Sequence, residues 1–136
     1  MEKLLECVPN FSEGRDLTVI KQITDAIEAV DGVTLLDVDP GAATNRTVVT
    51  FIGKPEAVLD AAVAAGKKAA ELIDMSRHEG EHPRFGAMDV CPLVPIAGIT
   101  MEETAEYAKA LGGRLGNEAG LTIFLYENAA AQKNRQ

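Results

Sequence analysis

Cysteine is scarce in this chain. Cys7 and Cys91 are the only two among 136 residues, they lie far apart, and each sits inside an apolar run. That argues against a disulfide framework and against a metal site of closely spaced cysteines, and for two reduced, buried thiols. Long hydrophobic runs are missing too: no apolar stretch approaches the roughly 20 residues of a membrane helix, and Met1-Glu2-Lys3-Leu4-Leu5-Glu6 lacks a basic region followed by an apolar core. A cytoplasmic protein that does not enter a membrane is expected. Positive charge is also short, with 13 Lys and Arg against 21 Asp and Glu, a net charge of −8 and a pI near 4.7. Such a surface repels phosphate backbones, which excludes nucleic acid as an expected partner. No glycine loop for a nucleotide phosphate follows a strand, since Gly112-Gly113 and Gly116 fall inside a helical pattern. There is no internal repeat.

What is present is ample for one domain. With 46% hydrophobic residues the chain can bury about two thirds of its unfolded surface. Lys3 to Val8 reads as a first strand closed by Pro9-Asn10, with Phe11-Ser12-Glu13-Gly14 as a turn. From Asp16 to Val30, Val19, Ile20, Ile23, Ile27 and Val30 recur at helical spacing, and Gly32 is expected to supply a left-handed C-cap. Val33 to Val38 is a second strand, Asp39 to Asn45 a turn-rich loop, and Arg46 to Ile52 a third strand that forms a hairpin with the second. Pro55 opens a second helix that runs to about Met75 along a face of alanines and valines. Val90 to Ile96 is apolar but holds Pro92 and Pro95, the mark of an edge-like or irregular strand. Thr100 with Glu103 spells a capping box for a third helix ending near Gly116-Asn117, and Leu121 to Tyr126 is a last strand. Residues 1–127 are read as the domain and 128–136 as a tail or a truncated continuation.

Strand, helix, strand, strand, helix, strand, then one further helix and strand, is an α+β order. It is the ferredoxin-like βαββαβ sandwich extended by a C-terminal αβ unit, with helices on one face of a mainly antiparallel sheet. Right-handed crossovers then bring the end of strand one (Pro9, Asn10), the hairpin loop, Arg46 and the loop around His82 to one edge of that sheet.

That loop, Arg77-His78-Glu79-Gly80-Glu81-His82-Pro83-Arg84-Phe85-Gly86-Ala87-Met88-Asp89, holds both histidines and is the densest run of titratable groups in the chain. Gly80, Pro83 and Gly86 punctuate it as a loop. His78-Glu79-Gly80-Glu81-His82 matches H-E-x-x-H, but zinc chemistry needs that motif on a helix. Gly80 weakens a helix, and Pro83 pushes His82 away from helical angles. No metal is therefore expected. A histidine is well suited to moving protons near neutral pH and a carboxylate can hold its protonated form; Asp39 is the first candidate partner for His82, with Asp89 and Glu81 as local alternatives. Arg84, Arg46, Arg77 and Arg15 near one edge of an acidic protein would gather a small anion through charge-assisted hydrogen bonds. Phe11 and Phe85 flank that edge, where they could cover a flat ring, although core packing is the commoner duty.

Four blocks in order now resemble one family. Cys7-Val8-Pro9-Asn10-Phe11-Ser12-Glu13-Gly14-Arg15, Leu35-Leu36-Asp37-Val38-Asp39, Thr44-Asn45-Arg46-Thr47, and Ile73-Asp74-Met75-Ser76-Arg77-His78 through Asp89-Val90-Cys91-Pro92 are similar to the N-terminal subdomain of glutamate formimidoyltransferases. The resemblance implies transfer of a formimino group from N-formimidoyl-L-glutamate to N5 of tetrahydrofolate, in histidine degradation, with the folate as co-substrate between two ferredoxin-like subdomains. It implies His82 as the acid/base catalyst supported by Asp39, and substrate binding by Asn10, Arg46 and Arg84. It covers one subdomain of two, so the chain is expected to need a second-subdomain partner or to form a homo-oligomer. The alternative is a catalytically incomplete ferredoxin-like binding or interaction module.

Overall fold

Two broken strands lie side by side at the middle and edge of the sheet. The computed structural model describes residues 2–73 and 88–119. β1 (Leu4–Cys7) and β2 (Asn10–Phe11) are two halves of one line, interrupted at Val8-Pro9. β5 (Met88–Val90) and β6 (Leu93–Ala97) are the halves of another, interrupted at Cys91-Pro92. β5 pairs with β2 and β6 with β1, all antiparallel. β4 (Arg46–Gly53) runs along the opposite side of both β1 and β2, and β3 (Val33–Gly41) pairs with β4. The spatial order is therefore β3, β4, β1/β2, β5/β6, the ferredoxin-like arrangement expected from the element order.

Alternation decides the faces. Along β4 every second residue is buried, Thr47, Val49, Phe51 and Gly53, while Arg46, Val48, Thr50 and Ile52 are only partly covered. Leu5, Cys7, Phe11 and Leu93 join the buried set, beneath helices α1 (Leu17–Glu28) and α2 (Pro55–Leu72). Ile23 and Ile27 from α1 and Val58, Ala62, Ala65 and Ala69 from α2 complete that core. The alanines let α2 lie close to the sheet. Helix α3 (Met101–Arg114) packs beside α2 through Ala108 and Leu111 and against β6, so the helices keep to one face. The opposite face is uncovered among the described residues.

Local chemistry sets the boundaries. Asp16 caps α1 by accepting from the backbone N–H groups of Thr18 and Val19, and Pro55 sits in the first turn of α2. Thr100 and Glu103 form the capping box of α3 in both directions. Five details differ from the expectations. The first strand resumes at Asn10–Phe11 instead of turning there, because β4 is long enough to pair with both halves. β3 runs on through Asp39 and Pro40 to Gly41, leaving Ala42 to Asn45 as the turn. Proline's fixed φ suits extended backbone, and β3 pairs on one side only among the described residues, so a missing donor costs little. Helix α1 stops at Glu28 with Ala29 as its C-cap, and Gly32 (φ 93°) serves the turn into β3 instead. Helix α2 ends at Leu72, where Ile73 turns extended. Helix α3 passes into a π-helical turn, Leu115–Ala119, instead of ending at Gly116. The expected last strand and the tail lie outside the described residues.

Candidate active site

The loop Ser12 to Arg15 is held onto the tip of the β3–β4 hairpin. Asn45 adopts φ 55°, a left-handed conformation that asparagine tolerates better than most residues, and closes the turn by donating its N–H to the Ala42 carbonyl at 3.3 Å. Its side-chain Oδ1 then accepts the Gly14 N–H at 2.8 Å. Arg15 Nε donates to the Ala42 carbonyl at 2.8 Å, and the Thr47 hydroxyl donates to the Glu13 carbonyl. Gly14 is the contact point: a Cβ there would lie 2.4 Å from the Gly41 oxygen and 2.5 Å from the Arg46 nitrogen. The Glu13 carboxylate is occupied locally by the N–H groups of Arg15 and Asp16, at 3.0 and 2.9 Å. The clamp was not anticipated from the sequence; an Asn directly ahead of a β-branched strand was its only signal.

This clamp frames one end of the uncovered sheet face. Asn10 on β2 and Asp39 on β3 are both register partners of Val48 on β4. The three form a single cross-strand row, which puts Asn10 and Asp39 about 10 Å apart with Val48 between them. Arg46 lies two positions further along β4, on the same face as Val48, where the hairpin closes against Gly41. Asn10 Nδ2 donates to the Val8 carbonyl at 3.4 Å, and Asp39 is exposed. Phe11, by alternation, turns the other way and is 1% exposed in the core, so it packs and does not cover a ring.

His82, Arg84, Arg77, His78, Glu81 and Phe85 lie outside the described residues. The described chain on either side of them is placed: Ile73 follows the end of α2, and Met88 pairs with Phe11, one residue beyond Asn10. Of Asp89 only the backbone is described, in β5. Among the described residues no group of three or more His, Cys, Asp or Glu is arranged to hold a metal ion. No helix there is long and apolar enough to cross a membrane.

The family model for the formiminotransferase domain, N-terminal subdomain, matches residues 4–136. The chain belongs to that family. A formimidoyltransferase-cyclodeaminase from Gallus gallus is 57% identical over 136 residues, 100% of this chain and 25% of its own length. Glutamate formimidoyltransferases from Streptococcus pyogenes serotype M1 and Thermoplasma acidophilum are 46% and 50% identical, over 100% and 97% of this chain. The chain thus spans a quarter of the length of the first and under half, 46% and 44%, of the other two. Family membership fits the α+β, ferredoxin-like sheet, and the matched region includes the row Asn10–Val48–Asp39 with Arg46 at its end.

Proposed function

We propose that this chain forms the N-terminal half of a transferase that moves a formimino group from N-formimidoyl-L-glutamate to N5 of tetrahydrofolate. The observation that supports this best is the sharing of one sheet face, at one end, by Asn10, Asp39 and Arg46, beside the point where the chain re-enters the sheet at Met88. Flat polar substrates laid over Val48 would meet an amide on one side and a carboxylate on the other. In this reading His82 accepts the proton that N5 loses as it attacks the formimino carbon. It then returns that proton to the glutamate nitrogen as the carbon–nitrogen bond breaks, releasing glutamate. Asp39 stabilises the imidazolium, and Arg46 and Arg84 hold carboxylates of the substrates. Tetrahydrofolate is a co-substrate here, with no metal involved.

The partner is the remaining part of the family polypeptide, seated on the uncovered face. That face carries Val94 and Ile96, 38% and 47% exposed, on the same side of the sheet as the proposed site. Charge and fold fit a cytoplasmic enzyme. A second reading is a catalytically incomplete binding module.

The test is transfer in a polypeptide that joins this chain to the second portion of a glutamate formimidoyltransferase. His82→Ala should lower turnover about 10²–10⁴-fold with an unchanged circular dichroism spectrum, and Asp39→Asn should lower kcat more than it changes KM. Undiminished turnover in His82→Ala would falsify the assignment, and no turnover in the unmodified polypeptide would favour the binding module.

A further inference from the structure

Cys7 and Cys91 stand at the two strand breaks, and their meeting is independent of the proposed reaction. Cys7 is the last residue of β1 and Cys91 the first after β5, 84 positions apart in sequence, yet their sulfurs are 3.3 Å from one another. Both are fully buried as thiols between the sheet and α2. Beside them the Val8 N–H donates to the Pro92 carbonyl at 3.1 Å, which ties the two interruptions together. A disulfide needs the sulfurs at about 2.05 Å, so they must approach by roughly a further 1.3 Å. Cys7 and Cys91 are the two cysteines of the chain.

We propose that Cys7 and Cys91 are a redox-modification site at which a peroxide forms a reversible intrachain disulfide. One thiolate attacks the peroxide oxygen, giving a sulfenic acid and, after proton transfer, water. The second thiolate attacks that sulfur, forming the S–S bond and releasing the sulfenic oxygen as a second water, so that two thiols are oxidised and one hydrogen peroxide is reduced. Burial makes opening of β5/β6 the entry step. Among the described residues that line pairs on one side only, with β1 and β2, and β5 is only three residues long. Once formed, the bond ties the line that opened to β1 and opposes further opening. Accessibility is thus consumed by the reaction it permits.

Hydrogen peroxide applied to the reduced, folded protein tests this directly. After denaturation and alkylation, the product should carry a Cys7–Cys91 cross-linked peptide, with an intact mass lower by about 2 Da from the loss of two hydrogens. It should run as a monomer on a non-reducing gel. Amide exchange across Leu93 to Ala97 should slow about tenfold or more and recover with dithiothreitol. Cys91→Ala under the same peroxide should give a sulfenic acid at Cys7, trapped by dimedone, with no slowing of exchange. Sulfinic acids without a cross-link, two thiols still open to alkylation, or a cross-link that leaves exchange unchanged would each overturn the proposal. Because the first measurements use the unmodified chain, poor folding of the variant does not blunt them.

Discussion

At the scale of single residues, the hairpin clamp depends on Gly14 having no side chain and Asn45 having the right one. A methyl at Gly14 would press on backbone atoms of Gly41 and Arg46, which cannot rotate away as a side chain would. Gly14→Ala should therefore cost about 1–3 kcal/mol in urea unfolding, as overpacking usually does. Asn45 contributes two separable things, a tolerated left-handed backbone and an acceptor for the Gly14 N–H. Asn45→Ala loses both and should cost about 1–2 kcal/mol. Asn45→Gly keeps the backbone freedom and should cost distinctly less; equal losses would show that the acceptor alone matters. Arg46 and Asp39 flank this turn, so the Gly14 variant should also weaken substrate binding if the proposed site is right.

At the scale of elements, α3 is fastened at its start by a capping box with an ionic extension. Glu103 Oε1 accepts the Thr100 N–H at 3.0 Å while its other oxygen meets Lys3 Nζ at 2.9 Å. The Lys3 hydrogen bond, helped by Thr100, holds the Glu103 carboxyl below its ordinary value; the same hydrogen bond and charge hold Lys3 above its own. A lowered carboxylate stabilises the fold above its unfolded pKa, and that contribution is lost as pH falls through the folded value. A raised lysine stabilises below its unfolded pKa and is lost as pH climbs through the folded one. Glu103→Gln keeps an acceptor for the capping box and removes the charge. The difference in melting temperature between parent and variant should thus be largest near neutrality, a few degrees at most for so exposed a pair. It should vanish in strong acid and shrink without vanishing in strong alkali, where Lys3 loses its charge but the Glu103 carboxylate still accepts the Thr100 N–H at the helix start. A difference that persists in strong acid would assign the effect to side-chain packing instead.

The same scale shows why some boundaries were legible and others were not. Apolar periodicity located α1, α2 and α3, and proline spacing gave β5/β6 its irregular, edge-like character, because those signals are local. Pro40 misled: it reads as a turn residue, and only the one-sided pairing of β3 makes it acceptable in a strand. The resumption of the first strand at Asn10 depends on the length of β4, a partner far away in sequence. The approach of Cys7 to Cys91 depends on the register between β1 and β6, which no local pattern encodes.

At the scale of the whole molecule, element order alone brings Asn10, Asp39 and Arg46 to one end of the sheet, since right-handed crossovers and a hairpin leave little choice. Which face they occupy was not legible; it follows from the pairing of Asn10 and Asp39 with Val48 and from the helices lying on the other side. That face separates the chain's own stability from its proposed partnership. Val94 is 38% exposed and lies directly across from Glu6, so Val94→Asp places a charge where this chain buries nothing essential. The like charge facing Glu6 and the loss of a β-branched strand residue should together cost the chain alone about 1–2 kcal/mol in unfolding. If the second portion of the family polypeptide covers this face, the same charge is buried there without a partner. Association and transfer should then fall at least tenfold, an unpaired buried charge costing several kcal/mol. Sedimentation velocity of the chain with the separately produced second portion measures this. Unimpaired association in Val94→Asp would put the partner elsewhere, and self-association of the chain alone, abolished by the substitution, would instead make the face a contact between two copies.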